Sequence, residues 1–469
     1  MLKHRFSIPP ALTGSPGPSI LQSADSMDVR VTPNNAPQNE PSIAANLLNT
    51  SIICCTANDY RNGDSAIGIY RSTDGGTAWS NAVLPLPAGF DAGGDGIVNW
   101  GCTSFFLVTG ISFDRDGGGT NGSIIAYRST DNGATFTGPV FVNQGSLTEF
   151  NDKNFSAVDT VTTSPFQGNC YVAYVQFTAA GSQMLFQRSL DGGATWSAVP
   201  FPITGVVAGG RFVQGACVAV GPTGEVYVSW INRVDSAAGG AATFFIRRSD
   251  DGGVTFGPAV PVMNFTAAPD SLNARVAGWQ FRTPTFSYIA TDISFGPFAG
   301  RIYAVATDFS TGNAHIIAAH SSDGGATWTV PVRVDSLSPE ASQNFFPYPS
   351  VSPASGAFKV TYYTNRLASP TGVEMDTFVA ESVDGGATFP VNVRATDVSF
   401  NPNTGEFGNT FIGDYNANSF MPPVGSGPDR LISAWTDTRL GNQDIFASIL
   451  IQDPLKGSFA LRLCGGGGG

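Results

Sequence analysis

The chain has 469 residues and a formal net charge of −12, from 24 basic and 36 acidic side chains. With no basic block to offset that field, the balance argues against nucleic acid or an anionic membrane surface as partner. No apolar run reaches the ~18 residues of a membrane helix, so no membrane span is expected. Only 13% of residues are charged while Gly (56) and Phe (34) abound, and no ten-residue run has a helical period. This is the profile of an all-β chain of many short strands and tight turns.

Residues 1–27 are rich in Pro, Ser and Gly and read as an arm. The opening Met1-Leu2-Lys3-His4-Arg5-Phe6 is basic, but Pro9 and Pro10 interrupt any apolar core, so no signal peptide is assigned. Residues 28–32 give a short alternating strand signal. Seven apolar runs then follow Gly or Asn turns, at residues 51–56, 105–113, 170–176, 226–231, 302–306, 358–363 and 431–435. Six of the seven units also carry the pattern Ser-x-Asp-x-Gly-x-Thr-aromatic, with its aspartates at Asp74, Asp131, Asp191, Asp251, Asp323 and Asp384. In the first copy Ala78 stands between Thr77 and Trp79. Successive aspartates lie 57, 60, 60, 72 and 61 residues apart. A fixed period of this kind dictates a repeat fold and overrides the expectation of several domains.

The box has the chemistry of a turn. Gly-Gly or Asn-Gly supplies the left-handed positions of a tight hairpin, and Ser, Asp and Thr oxygens accept from or donate to the loop itself. A carboxylate repeated in six like turns is therefore structural. These residues resemble the Asp-box, or bacterial neuraminidase, repeat. The resemblance covers roughly residues 38–452. It implies a β-propeller of the sialidase-like superfamily, with each box on the turn between the third and fourth strands of a blade. At about 59 residues per unit the expectation is seven four-stranded antiparallel blades, with six as the alternative. Domain boundaries follow at residues 1–27 (arm), 28–452 (propeller) and 453–469 (tail).

The seventh unit ends in the strand-like run 444–450 with no box after it. Either residues 28–32 or residues 458–463 must supply its last strand. The N-terminal segment is expected to close the ring. The 458–463 run is then a surplus strand and a route to self-association.

Function is expected away from the boxes, on the face formed by the D-to-A and B-to-C loops. The longest such loop, residues 264–288, holds Asp270, Arg275, Trp279 and Arg282. Five units end their second strand with Asp or Asn followed by Arg, which singles out Arg61, Arg115, Arg233, Arg366 and Arg439. They form either a ring of guanidinium groups around the channel mouth or a repeat-level ion pair. Asp414-Tyr415 completes the candidate binding set. In the resemblance, a catalytic sialidase has a Phe/Tyr-Arg-Ile-Pro motif, three arginines gripping a carboxylate, a Tyr/Glu nucleophile pair and an Asp acid/base. Here the nearest motif, Arg5-Phe6-Ser7-Ile8-Pro9, is scrambled and lies more than thirty residues before the first blade. No catalytic residue is assigned on that basis.

Three scattered His and six Cys without metal spacing suggest no metal site and buried free thiols. Residues 114–121 weakly resemble a Ca²⁺ loop but lack the bidentate Glu. The expectation is a secreted or surface-exposed, non-catalytic module that binds a glycan or a protein at the channel mouth. An exo-sialidase-type glycoside hydrolase is the alternative.

Overall fold

The computed structural model describes residues 5–6 (backbone only), 27–422 and 429–452. Within them the chain forms a seven-bladed β-propeller of four-stranded antiparallel sheets, with strands A to D in chain order from the axis outward. Blades 1 to 3 start with strands A at Gln38–Ala45, Ala92–Trp100 and Glu149–Val158, and blades 4 to 7 at Arg211–Val220, Ser287–Thr291, Asn344–Val351 and Ala417–Met421. All seven predicted second strands are present. The run 444–450 is strand C of blade 7, Asp444–Gln452.

Strands A and B are buried on both faces, as Gln38–Ala45 and Ile53–Asp59 are along their whole lengths. Each blade packs flat against its neighbours, and strands B accordingly read as mostly apolar runs, whereas strands A bury polar and charged residues as well. Aromatic rings fill the interfaces between blades, as in the Tyr303–Phe358 stack of blades 5 and 6 at 4.1 Å. Strand A of blade 2 is longer than the expected 97–100 because Ala92-Gly93-Gly94-Asp95-Gly96 carries no apolar signal. The glycines are there for close approach: a Cβ on Gly93 would lie 2.8 Å from the Ile111 carbonyl oxygen.

The six boxes share one hydrogen-bond pattern. In blade 3, Asp191 Oδ1 accepts from the Ser189 hydroxyl (2.7 Å) and the Thr195 N–H (2.9 Å), while its Oδ2 accepts from the Thr195 hydroxyl (2.6 Å). Ser189 Oγ in turn accepts from the Gly193 N–H at 2.8 Å. Blade 1 departs from this pattern because its Thr comes one position earlier, at Thr77: Asp74 Oδ1 takes the N–H groups of Thr77 and Ala78, and the Thr77 hydroxyl turns to a backbone carbonyl.

Blade 7 is closed from the N-terminus. Val29 and Arg30 pair antiparallel with Ala447 and Phe446 of strand C, and the Val31 N–H reaches the Ile445 carbonyl at 2.8 Å. Arg5–Phe6 adds a parallel pairing further along the same strand. The competing segment, residues 458–463, lies outside the described residues, as do most of the arm, the tail and Cys464.

Two expectations about small sites meet the structure here. Cys54, Cys55, Cys170 and Cys217 are buried free thiols, but Cys102 is disulfide-bonded, which corrects the expectation for that residue. Unlike the four buried thiols, Cys102 stands outside the strands, in the polar turn Gly101-Cys102-Thr103-Ser104 between strands A and B of blade 2. In the 114–121 turn, Asp114 Oδ1 accepts the Gly117 N–H at 2.9 Å. Among the described residues no group of three or more His, Cys, Asp or Glu is arranged to hold a metal ion, and no helix is long and apolar enough to cross a membrane.

Candidate functional site at the channel mouth

Five innermost strands carry the same irregularity. In blades 1, 2, 3, 4 and 6, two residues of strand A face one of strand B. The first residue of each bulge is left-handed: Glu40 (φ 57°), Asp95 (51°), Lys153 (46°), Gly215 (73°) and Phe346 (52°). Glycine adopts this conformation freely, as in blade 4. A side chain there costs about 1–3 kcal/mol in backbone strain, and such strain collects at functional sites. Blades 1 to 3 hold a charged residue at this position, and the bulge aims it at the axis.

The three charges converge. Lys153 Nζ lies 3.2 Å from Glu40 Oε1, 3.3 Å from Asp95 Oδ1 and 2.9 Å from Asp414 Oδ2, which enters from blade 7. Gly413 makes room for that approach, since a Cβ on it would lie 2.9 Å from Glu40 Cγ. Asn58, at the end of strand B in blade 1, orients the carboxylates. Its Nδ2 donates to Glu40 Oε2 at 2.9 Å and its Oδ1 accepts the Asp95 N–H at 2.8 Å. From the long loop, Arg282 grips Asp414 with two parallel hydrogen bonds, Nε to Oδ1 at 2.7 Å and Nη2 to Oδ2 at 2.6 Å. Its guanidinium lies over Phe411 and is half exposed, so it forms the lid of the cluster.

Electrostatics sort the carboxyl groups. Burial, with Lys153 opposing it, leaves Glu40 well above the ordinary carboxylate range. Burial and the Asp95 charge push Asp152 up to about 6. Burial would also raise Asp414, but Lys153 and Arg282 outweigh it and hold that carboxyl below its usual value. Burial alone would lower Lys153; the Asp414, Asp95 and Glu40 charges hold its ammonium well above normal. Neighbouring carboxyl groups are thus pushed in opposite directions from their ordinary values.

Below the cluster, Phe155, Tyr288 and Tyr348 form a diaphragm across the axis, with centroid separations of 5.8, 6.2 and 5.3 Å. Between the two layers the free cavity is about 20 Å³, room for about one water molecule. The Tyr415 ring sits 5.4 Å from Lys153 Nζ, and its buried hydroxyl has no hydrogen-bond partner among the described residues. Beneath the diaphragm, on the box face, the channel opens into a vestibule of about 290 Å³.

Of the sequence-derived candidates, Arg282, Asp414 and Tyr415 come together here. The others do not converge. Arg61 pairs with Asp59 in its own blade (2.6 Å), and Arg115 pairs with Asp64 of blade 1. Arg233 reaches Asp270 at 3.4 Å, and Arg275 lies over Phe309. Arg366 is buried against Tyr362 and Asn392, and Arg439 ties Asp437 to Asp28 and Asp397. Glu40, Asp95, Asp152 and Lys153 were not singled out from the sequence. The available signal was a charged residue inside an innermost strand, in Asn39-Glu40-Pro41, Gly94-Asp95-Gly96 and Asp152-Lys153-Asn154.

No protein-family model matches the chain, and no curated protein does. Solved structures do. An ulvan lyase, described as a new family of polysaccharide lyase, superposes with a TM-score of 0.51 at 12% identity, over 90% of this chain and 95% of that one. An α-L-arabinanase from Penicillium chrysogenum gives a TM-score of 0.49 at 12% identity, over 91% and 98%. A Hadza microbial sialidase gives 0.47 at 13% identity, over 86% and 74%. At these identities the likeness is one of fold. These neighbours are propeller glycoside hydrolases and a polysaccharide lyase.

Proposed function

We propose that the chain is a carbohydrate-binding propeller that takes its ligand at the upper mouth and does not turn it over. The observation that carries this reading is the engagement of the axial carboxylates. A glycosidase presents two carboxyl groups across a gap wide enough for a sugar and its water. Here Glu40, Asp95 and Asp414 converge on one ammonium, Arg282 covers Asp414, and the space below is about 20 Å³. A ligand therefore sits above Arg282. There the Tyr60 and Phe407 rings (4.9 Å apart) offer aromatic surface beside the half-exposed Arg282 guanidinium, a combination suited to a sugar ring. The ulvan lyase supplies a fold-level analogy only. The Cys102 disulfide accords with a secreted or surface-exposed protein.

Calorimetric titration with neutral, amino and acidic oligosaccharides, with product analysis, tests the proposal. We expect saturable binding of one class, its loss in Arg282→Ala, and intact sugar afterwards. Consumption of the sugar, or no binding of any class, overturns it.

A glycoside hydrolase is the second reading. The separation of Asp152, raised to about 6, from Asp414, held low, favours it, since acid and base roles are assigned by such splits. Turnover abolished by Asp152→Asn with sugar binding retained would establish it.

A further inference from the structure

The central channel has two chemically different ends. Above the Phe155–Tyr288–Tyr348 diaphragm, the axis carries Lys153 and the three carboxyl groups around it. Below it, the described residues that line the vestibule include no Asp, Glu, Lys, Arg or His. We propose that this vestibule is a second binding site, which takes one uncharged, hydroxylated ring of monosaccharide size from the box face.

The innermost strands set its shape. Side chains two residues apart share a face of a strand. Two residues past Phe155, Tyr288 and Tyr348 stand Ala157, Ala290 and Ser350, and all three are partly exposed. The other four blades bring Ala44, Asn99, Ala219 and Ser419 to the same wall. The channel therefore widens in one step, from three aromatic rings to alanines and short polar side chains. The volume of about 290 Å³ is that of about ten waters, room for one sugar ring and not for a chain. The diaphragm closes the inner side, so a ligand here does not reach the upper mouth or compete with one bound there.

Polarity narrows the class. Asn418 lines the vestibule and is 4% exposed. Its Nδ2 is committed to blade 6, donating to the Tyr348 carbonyl at 2.9 Å and the Thr361 hydroxyl at 2.8 Å. That fixes the amide and leaves Oδ1, a buried acceptor with no hydrogen-bond partner among the described residues. The buried Ser350 hydroxyl, on the adjacent blade, also has none among them. Such groups call for a ligand that carries hydroxyls, since a hydrocarbon would leave both unmet. An ion fails for the opposite reason: no charged side chain in the wall offsets its loss of water. Leu47, Ile293 and Phe420 supply apolar surface beside these polar groups, which suits the C–H face of a sugar ring. The inference stands apart from the reading of the upper mouth, because it uses none of the charged residues there.

Ligand-observed NMR titration of the full chain tests it. The probes are glucose, galactose, mannose, fucose and xylose, with glucuronate and glucosamine as charged counterparts. At least one uncharged sugar should bind with a Kd of about 1 mM or tighter. The charged pair should bind at least about tenfold more weakly. Ala290→Leu fills the ring of small side chains and should abolish that binding at an unchanged melting temperature. Ser350→Ala removes one hydroxyl and should weaken binding about fivefold. Binding that persists in a folded Ala290→Leu chain puts the sugar elsewhere and overturns the proposal. So does glucuronate or glucosamine binding as tightly as the uncharged sugars, or no uncharged sugar binding at all. Should Ala290→Leu fail to fold, Ser350→Ala decides, and an unchanged affinity in that variant overturns the proposal.

Discussion

Lys153 occupies the least replaceable position on the axis. Three carboxyl groups lie within 3.3 Å of its ammonium, and all are buried. Lys153→Met keeps the stem but leaves those groups facing one another, a change that costs about 3–5 kcal/mol when a buried ion pair loses one member. The pH dependence has a sign. The folded-state pKa of Asp414 is depressed, so its contribution is present above the unfolded value and is lost as pH falls. Urea unfolding should therefore show the Lys153→Met deficit at pH 7 and a smaller one near pH 4. An equal deficit at both would refute the electrostatic account. The box aspartates act differently. Asp191 is exposed and serves only its own turn. Asp191→Ala should lower stability by about 1–2 kcal/mol, because water can replace part of what the loop donors lose. Sugar binding should be unchanged in that variant, and its loss at unchanged stability would contradict the structural role.

Strands B were legible because an apolar run after a Gly or Asn turn needs no distant information to be recognised. The boxes were legible for the same reason: every partner of Asp191 lies within four residues. Strand A was harder. In blade 2 its first half is Gly-rich and takes its register from Phe113, Ser112 and Ile111 across the sheet. The closing element, Val29–Arg30, carries a second device. The Asp28 and Asp397 side chains each accept the other's backbone N–H at 2.9 Å, and Arg439 Nη2 reaches Asp28 at 2.8 Å. Burial, aided by Asp397, pushes the Asp28 carboxyl from 3.8 up to about 8. A raised acid favours the folded state while it is protonated. Its contribution is therefore present below pH ~4 and is lost as pH rises toward 8. Asp28→Asn keeps an acceptor and a donor without the charge. Its melting temperature should exceed the parent's by much more at pH 8 than at pH 5; the same difference at both would remove Asp28 as the cause.

At the scale of the molecule, the fold was readable and the site only in part: Arg282, Asp414 and Tyr415 were singled out, Lys153, Glu40 and Asp95 were not. Period and turn chemistry are local, whereas the axial cluster joins Lys153 to Glu40 across 113 residues and Arg282 to Asp414 across 132. A sequence displays those charges without showing which of them meet. The same geometry bears on sialidase chemistry. Among the described residues one guanidinium, that of Arg282, reaches the axial cluster, and Asp414 already holds it, whereas recognition of a free carboxylate needs unpaired forks. A fluorogenic sialic-acid substrate should therefore remain intact, and release abolished by Arg282→Ala would reverse that conclusion. Ring closure has a consequence for synthesis. Arg30 meets Asp444 across 414 residues. At about 5–20 residues per second, a ribosome delivers the second roughly 20–80 s after the first. Blades 1 to 6 form from neighbouring segments during that interval, while the first-made strand waits without its partner. On a polysome, many copies would hold a waiting strand and a late, unfilled edge close together. Each chain must close on itself faster than it exchanges that strand with the next.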